Sequence, residues 1–561
     1  MKYEIGNLVS EVDARLLQIK NEKIIERIWE KDFTVWGSSP EEISNRLGWL
    51  DSPEVTRKSF DEIRSFVEEV KSEGFTHALL LGMGGSSLAP EVFRFIFGVN
   101  NGFLDLSILD STDPEYILEK ANTLDPAKTL YIVSTKSGGT VETISFMKYF
   151  YNYTLSKVGK EKAAKHFIAI TDPGSGLEKM AHDLNFRKIF LNDPNIGGRF
   201  SALSLFGIVP AALVGVDIEK VLSSAEAEIS NSKKPGNEIQ QNSSVILGTI
   251  MGVLAGRGID KITFIISPKF SFFGAWAEQL IAESTGKIGK GILPVDLESL
   301  ETPAFYSNDR LFVYIKLKGD NTLDDQSAKL KLAGHPLIEI ELDTIYDLGR
   351  EFFRWEFATA VAGHVLTIPP FDQPNVEQAK IIAREMMKEY QTTGILPQLS
   401  PAIQEGDIKI YGDVQPKKIS DAIPMFLSNC KGGRNYVTLQ AYLTPNETTT
   451  KLLQELRTRI QKKYKVATTL GYGPRFLHST GQLHKGDGGN GYFIQFIADN
   501  KADTPIPDNA GSSSSSITFG ILKRAQLLGD RQALIDNNRK VITIDLGSQL
   551  NNSFENIFMT V

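Results

Sequence analysis

Apolar positions along this chain gather into two alternating kinds of stretch. Short apolar runs rich in β-branched residues read as buried strands: HALLLGM (His77–Met83), LDLSILD (Leu104–Asp110), TLYIVST (Thr129–Thr135), HFIAITD (His166–Asp172) and KIFLND (Lys188–Asp193). Amphipathic stretches separate most of them, and that alternation predicts βαβ units built on a mainly parallel sheet. The apolar Ser201–Val216 stretch predicts a buried helix that closes this unit. A second set starts near residue 240, with strands predicted at Lys261–Lys269, Arg310–Lys318, His335–Leu342 and His364–Phe371. A polar, Pro-containing stretch follows at about 392–420, and three more strands are predicted at Asn435–Leu443, Gly491–Asp499 and Lys540–Leu546. Residues 1 to about 50 read as amphipathic helix. The predicted class is therefore α/β: a helical segment at 1–50, one α/β unit at 51–220, a second at 221–395, and a C-terminal α/β segment at 396–561.

Composition narrows the function more than the fold. A chain of 561 residues has ample core for several domains. The net charge of −7 argues against a general nucleic-acid binder, while leaving room for a local basic pocket. Cys430 is the single cysteine, so no internal disulfide and no cysteine zinc site is expected, and a reducing, cytoplasmic setting fits. The N-terminus lacks a signal-peptide apolar core, and the longest apolar run, Leu205–Val216, is too short to span a bilayer.

Candidate chemistry gathers where strands give way to polar loops. After Leu130–Val133 the chain reads Ser134, Thr135, Lys136, Ser137, Gly138, Gly139, Thr140 before helix-forming residues begin at Val141. Glycines that allow close approach, hydroxyls, one cation and free N–H groups at a helix start suit an anion, most often a phosphate. The bland alternative is a turn that only caps a helix. A second such loop, Gly84–Ser87, follows the first strand. Ser87 stands where a dinucleotide fingerprint needs its third glycine, so that motif fails. In an open parallel sheet such strand ends share one edge, where ligands bind, and two loops of this kind favour phosphate.

Three more segments carry polar groups. In NIGGRFSALSLFGI, Ser201 is a plausible N-cap, so Arg199 is expected beside a helix N-terminus that an anion would reconcile with its charge; an outward-pointing arginine is the plain reading. In WAEQLIAESTGK, Gln279 and Glu283 lie four apart on one helix face, Gly286 should end the helix, and the dipole disfavours a carboxylate at Glu283. That setting suits a general base, against a surface pair with Lys287. IPPFDQPNVEQAK offers Gln373, Glu377 and Lys380 after a predicted strand and turn. Finally, FLHSTGQLHKG holds His478 and His484 with no nearby carboxylate, a poor metal site and a better source of one proton-transfer histidine.

In this order, GMGGSS, STKSGGTVET, GGRFS, EQLIAESTGK and PFDQPNVEQAK resemble the motifs of the glucose-6-phosphate isomerase family over about 80–380. The likeness is closest to the isomerase half of bifunctional transaldolase–glucose-6-phosphate isomerase proteins. A separate transaldolase barrel of about 250 residues has no room here, so only the isomerase activity is expected. The resemblance implies two SIS-type, flavodoxin-like three-layer sandwiches with an added C-terminal α/β segment. It implies a homodimer, a small sugar phosphate as substrate, no cofactor and no metal. By the same resemblance, Gly85, Ser86, Thr135, Lys136, Ser137 and Thr140 hold the phosphate, and Gln279 and Gln373 orient the sugar. Glu283 moves the proton, Arg199 stabilises the enediolate, and Lys380 assists at a hydroxyl. One departure matters. The family's histidine lies between the glutamate and lysine motifs, whereas here the matching segment, with His478, comes about a hundred residues after Lys380. The motif is expected to be relocated in sequence and to return in space.

Overall fold

Strands of the first sheet are apolar on both faces because both are covered. The computed structural model, which describes residues 1–234 and 236–558, has β1 at Lys2–Glu4, β2 at His77–Gly82, β3 at Asp105–Leu109, β4 at Thr129–Ser134, β5 at Phe167–Thr171 and β6 at Lys188–Leu191. The five strands β3-β2-β4-β5-β6 form an all-parallel sheet in that order, the flavodoxin-like arrangement. Ala78, Leu80, Leu130, Ile132, Ile168 and Ile170 face one apolar core. Leu79, Leu81, Tyr131, Val133, Phe167 and Ala169 face another. That period of two, with no polar face, is the signature of a sheet between two helical layers.

The second sheet has β7 at Lys261–Ile266, β8 at Leu293–Val295, β9 at Arg310–Leu317 and β10 at Leu337–Leu342, in the order β1-β10-β9-β7-β8. Strands β10, β9, β7 and β8 are parallel, and β1 pairs antiparallel with β10. The chain start thus belongs to the second sheet. Its polar KYE sequence hid that strand from the periodicity. Both sheets share one core through the buried helices Leu205–Leu213, Ser243–Gly256 and Leu348–Leu366.

The C-terminal part builds a third sheet: β11 Ile403–Glu405, β12 Ile408–Gly412, β13 Tyr436–Tyr442, β14 Ala467–Tyr472, β15 Gly491–Ile497 and, after the two-residue strands β16 Pro505–Ile506 and β17 Ile517–Thr518, β18 Lys540–Asp545. Its order is β11-β12-β18-β15-β13-β14, parallel from β18 to β14, with the β11–β12 hairpin antiparallel at the edge. One face is apolar, with Val437, Leu439, Ile494, Phe496, Ile542 and Ile544. The other carries buried Gln440, Gln495 and Thr543, which bond to one another and to Asp530.

Two expectations are corrected. His364–Phe371 is no strand: Leu348–Leu366 is one helix, Thr367 turns left-handed at φ 58°, and the prolines carry the chain onward. Its apolar run is the end of a helix buried along most of its length, a case where composition cannot separate helix from strand. The helix predicted at Ser201–Val216 covers only Leu205–Leu213, and its cap is Ser204, whose side chain accepts from Phe206 N, not Ser201.

Candidate functional site

The loops after β2 and β4 lie on the expected sheet edge. After β2, Gly84 turns with φ +53° into the helix Gly85–Phe97. A Cβ on Gly85 would stand 1.9 Å from the Gly198 carbonyl oxygen, so only glycine lets this helix start press against the arginine loop. After β4, Thr135 and Thr140 share a hydroxyl–hydroxyl bond of 3.0 Å, and Ser137 Oγ accepts from Gly139 N at 3.2 Å. Thr140 is the residue before the helix Val141–Val158, and its side chain makes no capping bond. The Lys136 ammonium is turned to the Asp172 carboxylate and the Pro194 carbonyl, so its backbone and not its charge remains with the loop. Ser86 is buried at the start of its helix, where its carbonyl accepts from Ser134 Oγ.

Arg199 does not flank the start of the helix that follows it, which begins only at Leu205; its backbone abuts the start of the helix Gly85–Phe97 instead. It sits in the turn Gly198–Phe200, with 3 % of its surface exposed. Its guanidinium donates to Ser284 Oγ (2.8 Å), Gln373 Oε1 (2.9 Å), Pro370 O (2.6 Å) and Asp372 O (3.0 Å), and its Nη1 stands 3.4 Å from Glu283 Oε1. Protein oxygens, rather than a helix dipole, surround this charge. Burial pulls its pKa down, while Glu283 and Asp372 oppose that shift. Glu283 occupies the last turn of Phe273–Thr285, which ends at Gly286 as expected. The alternative, a surface pair of Glu283 with Lys287, does not form. Lys287 is itself buried, bonded to Pro369 O (2.7 Å) and Asp372 Oδ1 (2.6 Å). Burial and the neighbouring Arg199 pull its pKa down to about 7, against Asp372.

His478 reaches the same place from the third sheet, in the turn Arg475–His478 after β14. Gln279 Nε2 donates both to Glu283 Oε2 (3.1 Å) and to the His478 carbonyl (2.8 Å), so one amide ties the two segments. The His478 ring Nε2 lies 3.0 Å from Glu142 Oε1, which also accepts from Gln526 Nε2 at 2.6 Å. Burial pushes the Glu142 carboxyl up, but the charge and hydrogen bond of His478, its own backbone N–H and the charge of Lys380 together outweigh it, and the pKa is lowered. Glu142 went unrecognised in the sequence because an acidic residue in a first helical turn is ordinary dipole chemistry. Lys380 borders the cluster without a hydrogen bond to Arg199, Glu283 or His478 among the described residues. Its ammonium pairs with Glu377 at 2.9 Å, about a third exposed, and acts on Glu142 only through space. His484 is fully buried, and burial holds its pKa well below the usual histidine range. Among the described residues, no group of three or more His, Cys, Asp or Glu is placed to hold a metal ion.

Residues 48–292 match the family model of phosphoglucose isomerase. Over that span the chain is similar to phosphoglucose isomerase. Glucose-6-phosphate isomerase of Streptococcus agalactiae serotype III (strain NEM316) is 28% identical over 389 residues, 60% of this chain and 86% of that protein. A probable glucose-6-phosphate isomerase of Methanococcus maripaludis is 29% identical over 430 residues, 69% of this chain and 92% of that protein. Among solved structures, glucose-6-phosphate isomerase of Chlamydia trachomatis superposes with a TM-score of 0.58 at 18% identity, over 67% of this chain and 86% of that one. A hypothetical protein of Thermus thermophilus superposes with a TM-score of 0.60 at 23% identity, over 68% of this chain and 99% of that one. These two likenesses show the fold alone. The family match ends at residue 292, before Lys380 and His478.

Proposed function

We propose that this chain interconverts glucose 6-phosphate and fructose 6-phosphate by ring opening and proton transfer through a cis-enediol(ate). The observation that carries this reading is the convergence on one carboxylate. Glu283 faces Arg199 at 3.4 Å and is joined through Gln279 to the segment that bears His478. A carboxylate, a fixed cation and a histidine-bearing segment brought together suit proton abstraction next to a carbonyl better than phosphate binding alone.

In this mechanism Gly85, Ser86, Thr135, Ser137, Thr140 and the Lys136 backbone hold the substrate phosphate. His478, oriented by Glu142, gives a proton to the ring oxygen while Lys380 assists at the hydroxyl that becomes the carbonyl. Glu283 carries the C2 proton of the open aldose to C1 while the hydroxyl proton passes from O2 to O1, so the isomerisation neither gains nor loses a proton. Arg199 stabilises the oxyanion of the enediolate, and its bonds to protein oxygens hold it in place before reaction. Gln279 and Gln373 orient sugar hydroxyls. A homodimer is the assembly proposed, supported by the family resemblance, and sedimentation velocity tests it. A cytoplasmic setting is supported by the lone, buried Cys430. No helix among the described residues is long and apolar enough to cross a membrane.

A coupled assay supplied with fructose 6-phosphate, and in parallel with mannose 6-phosphate, tests the function. Turnover of the first and little of the second is expected. No turnover of fructose 6-phosphate by folded protein would refute the assignment.

A further inference from the structure

The segments that carry Glu283, His478 and Lys380 come from distant parts of the chain, and they meet at one side chain that belongs to none of the proposed roles. Gln482 lies on the short helix Gly481–Gly486, four residues after His478, and is fully buried. Its Nε2 donates to Gly286 O at 2.9 Å, at the end of the helix that bears Glu283. The same Nε2 donates to Asn375 Oδ1 at 2.7 Å, and Oε1 accepts from Asn375 N at 2.9 Å. Asn375 precedes the helix Val376–Thr393, which bears Lys380, and follows Gln373 by two residues. Only an amide side chain can give two hydrogens and accept a third at this reach.

Packing leaves these segments little room to slide. A Cβ on Gly286 would stand 2.3 Å from Leu483 Cα, and one on Gly486 would stand 2.2 Å from Gly286 O. The backbones are therefore in contact, and Gln482 fixes their register. We infer that Gln482 is a positioning residue that sets Glu283, His478 and the Gln373–Lys380 segment at their working separation. It touches no reacting atom and acts through Gly286 and Asn375. The inference rests on the proposed isomerase function and adds a residue to it.

Gln482→Met keeps the length and removes every polar contact. Its expected signature is a kcat lower by roughly 10–100-fold, the scale set by misplacement of about an ångström. KM for fructose 6-phosphate and inhibition by inorganic phosphate should stay within about twofold, because the phosphate loop is untouched. Ring opening and C2-proton exchange in an open-chain substrate should fall together, since both acid and base lose their register. Asn375→Ala removes one acceptor of the clamp from the opposite side and should give the same pattern, smaller. The double variant should lose little more than Gln482→Met alone, because both remove one unit. A residue that only stabilises the fold would lower Tm and leave kcat of the folded fraction unchanged. An active wild type with unchanged kcat in both folded variants would overturn the clamp while leaving the function standing. A wild type with no isomerase activity would overturn both.

Discussion

At the scale of single residues, the roles proposed for Glu283 and His478 can be tested apart. Glu283→Gln keeps the shape and the bond from Gln279 but removes the proton acceptor. The expected result is a kcat loss of at least about 10²-fold with the fold intact, the low end for a positioned general base. Near-normal turnover by correctly folded protein would exclude Glu283. His478→Ala has a different signature. Only the cyclic sugar needs a proton on its ring oxygen, so its turnover should fall far more than proton exchange in an open-chain substrate. Equal losses in both would mean that His478 merely orders its turn and the Glu142 carboxylate. These residue types were legible in the sequence because Gly, Ser, Thr, Arg and Glu stood in loops or at helix ends. Glu142 and Lys287 were not, since their setting is created by burial against distant segments.

At the scale of elements, the helix Leu348–Leu366 contains a buried acid that takes no part in the proposed chemistry. Glu356 is fully buried, and neither carboxylate oxygen has a hydrogen-bond partner among the described residues. Burial pushes its pKa well above the usual carboxylate range. The folded protein therefore keeps a proton that the unfolded chain releases. Stability from this group is full below the ordinary glutamate pKa and declines as pH rises toward the raised value. One proton of difference corresponds to about 1.4 kcal/mol per pH unit. Glu356→Gln should remove that slope, so that denaturant unfolding followed from pH 5 to pH 8 shows a flatter stability profile than the wild type. An unchanged slope would mean that Glu356 is already ionised in the folded protein. This same helix misled the periodicity at its end. His364–Phe371 is apolar enough for a strand, and only its continuation of a buried helix decides the matter.

At the scale of the whole molecule, the third sheet supplies the histidine and must be docked firmly on the first. Arg475, three residues before His478, bonds to the Asp110 carboxylate at 2.9 Å and to Glu91, and so anchors that turn to the end of β3 and to the helix Gly85–Phe97. Arg475→Met would leave two poorly exposed carboxylates without their cation. A stability loss of about 3 kcal/mol is expected, the low end for a broken buried pair, with kcat falling because His478 moves with the turn. Thermal and denaturant unfolding of the variant, read beside its kinetics, checks both parts. The sequence by itself determined the α/β alternation, the parallel first sheet and the chemistry of each loop, because those follow from local periodicity and from the residue types a strand end can hold. It also carried the likeness that made His478 a candidate. Tertiary structure alone decided that β1 joins the second sheet, that Arg199 is walled by carbonyls, that Glu142 receives the histidine, and that Gln482 joins three segments. Each of these depends on which distant backbone lies within about 3 Å of a side chain, and hydrogen bonds of that reach leave no period in the sequence.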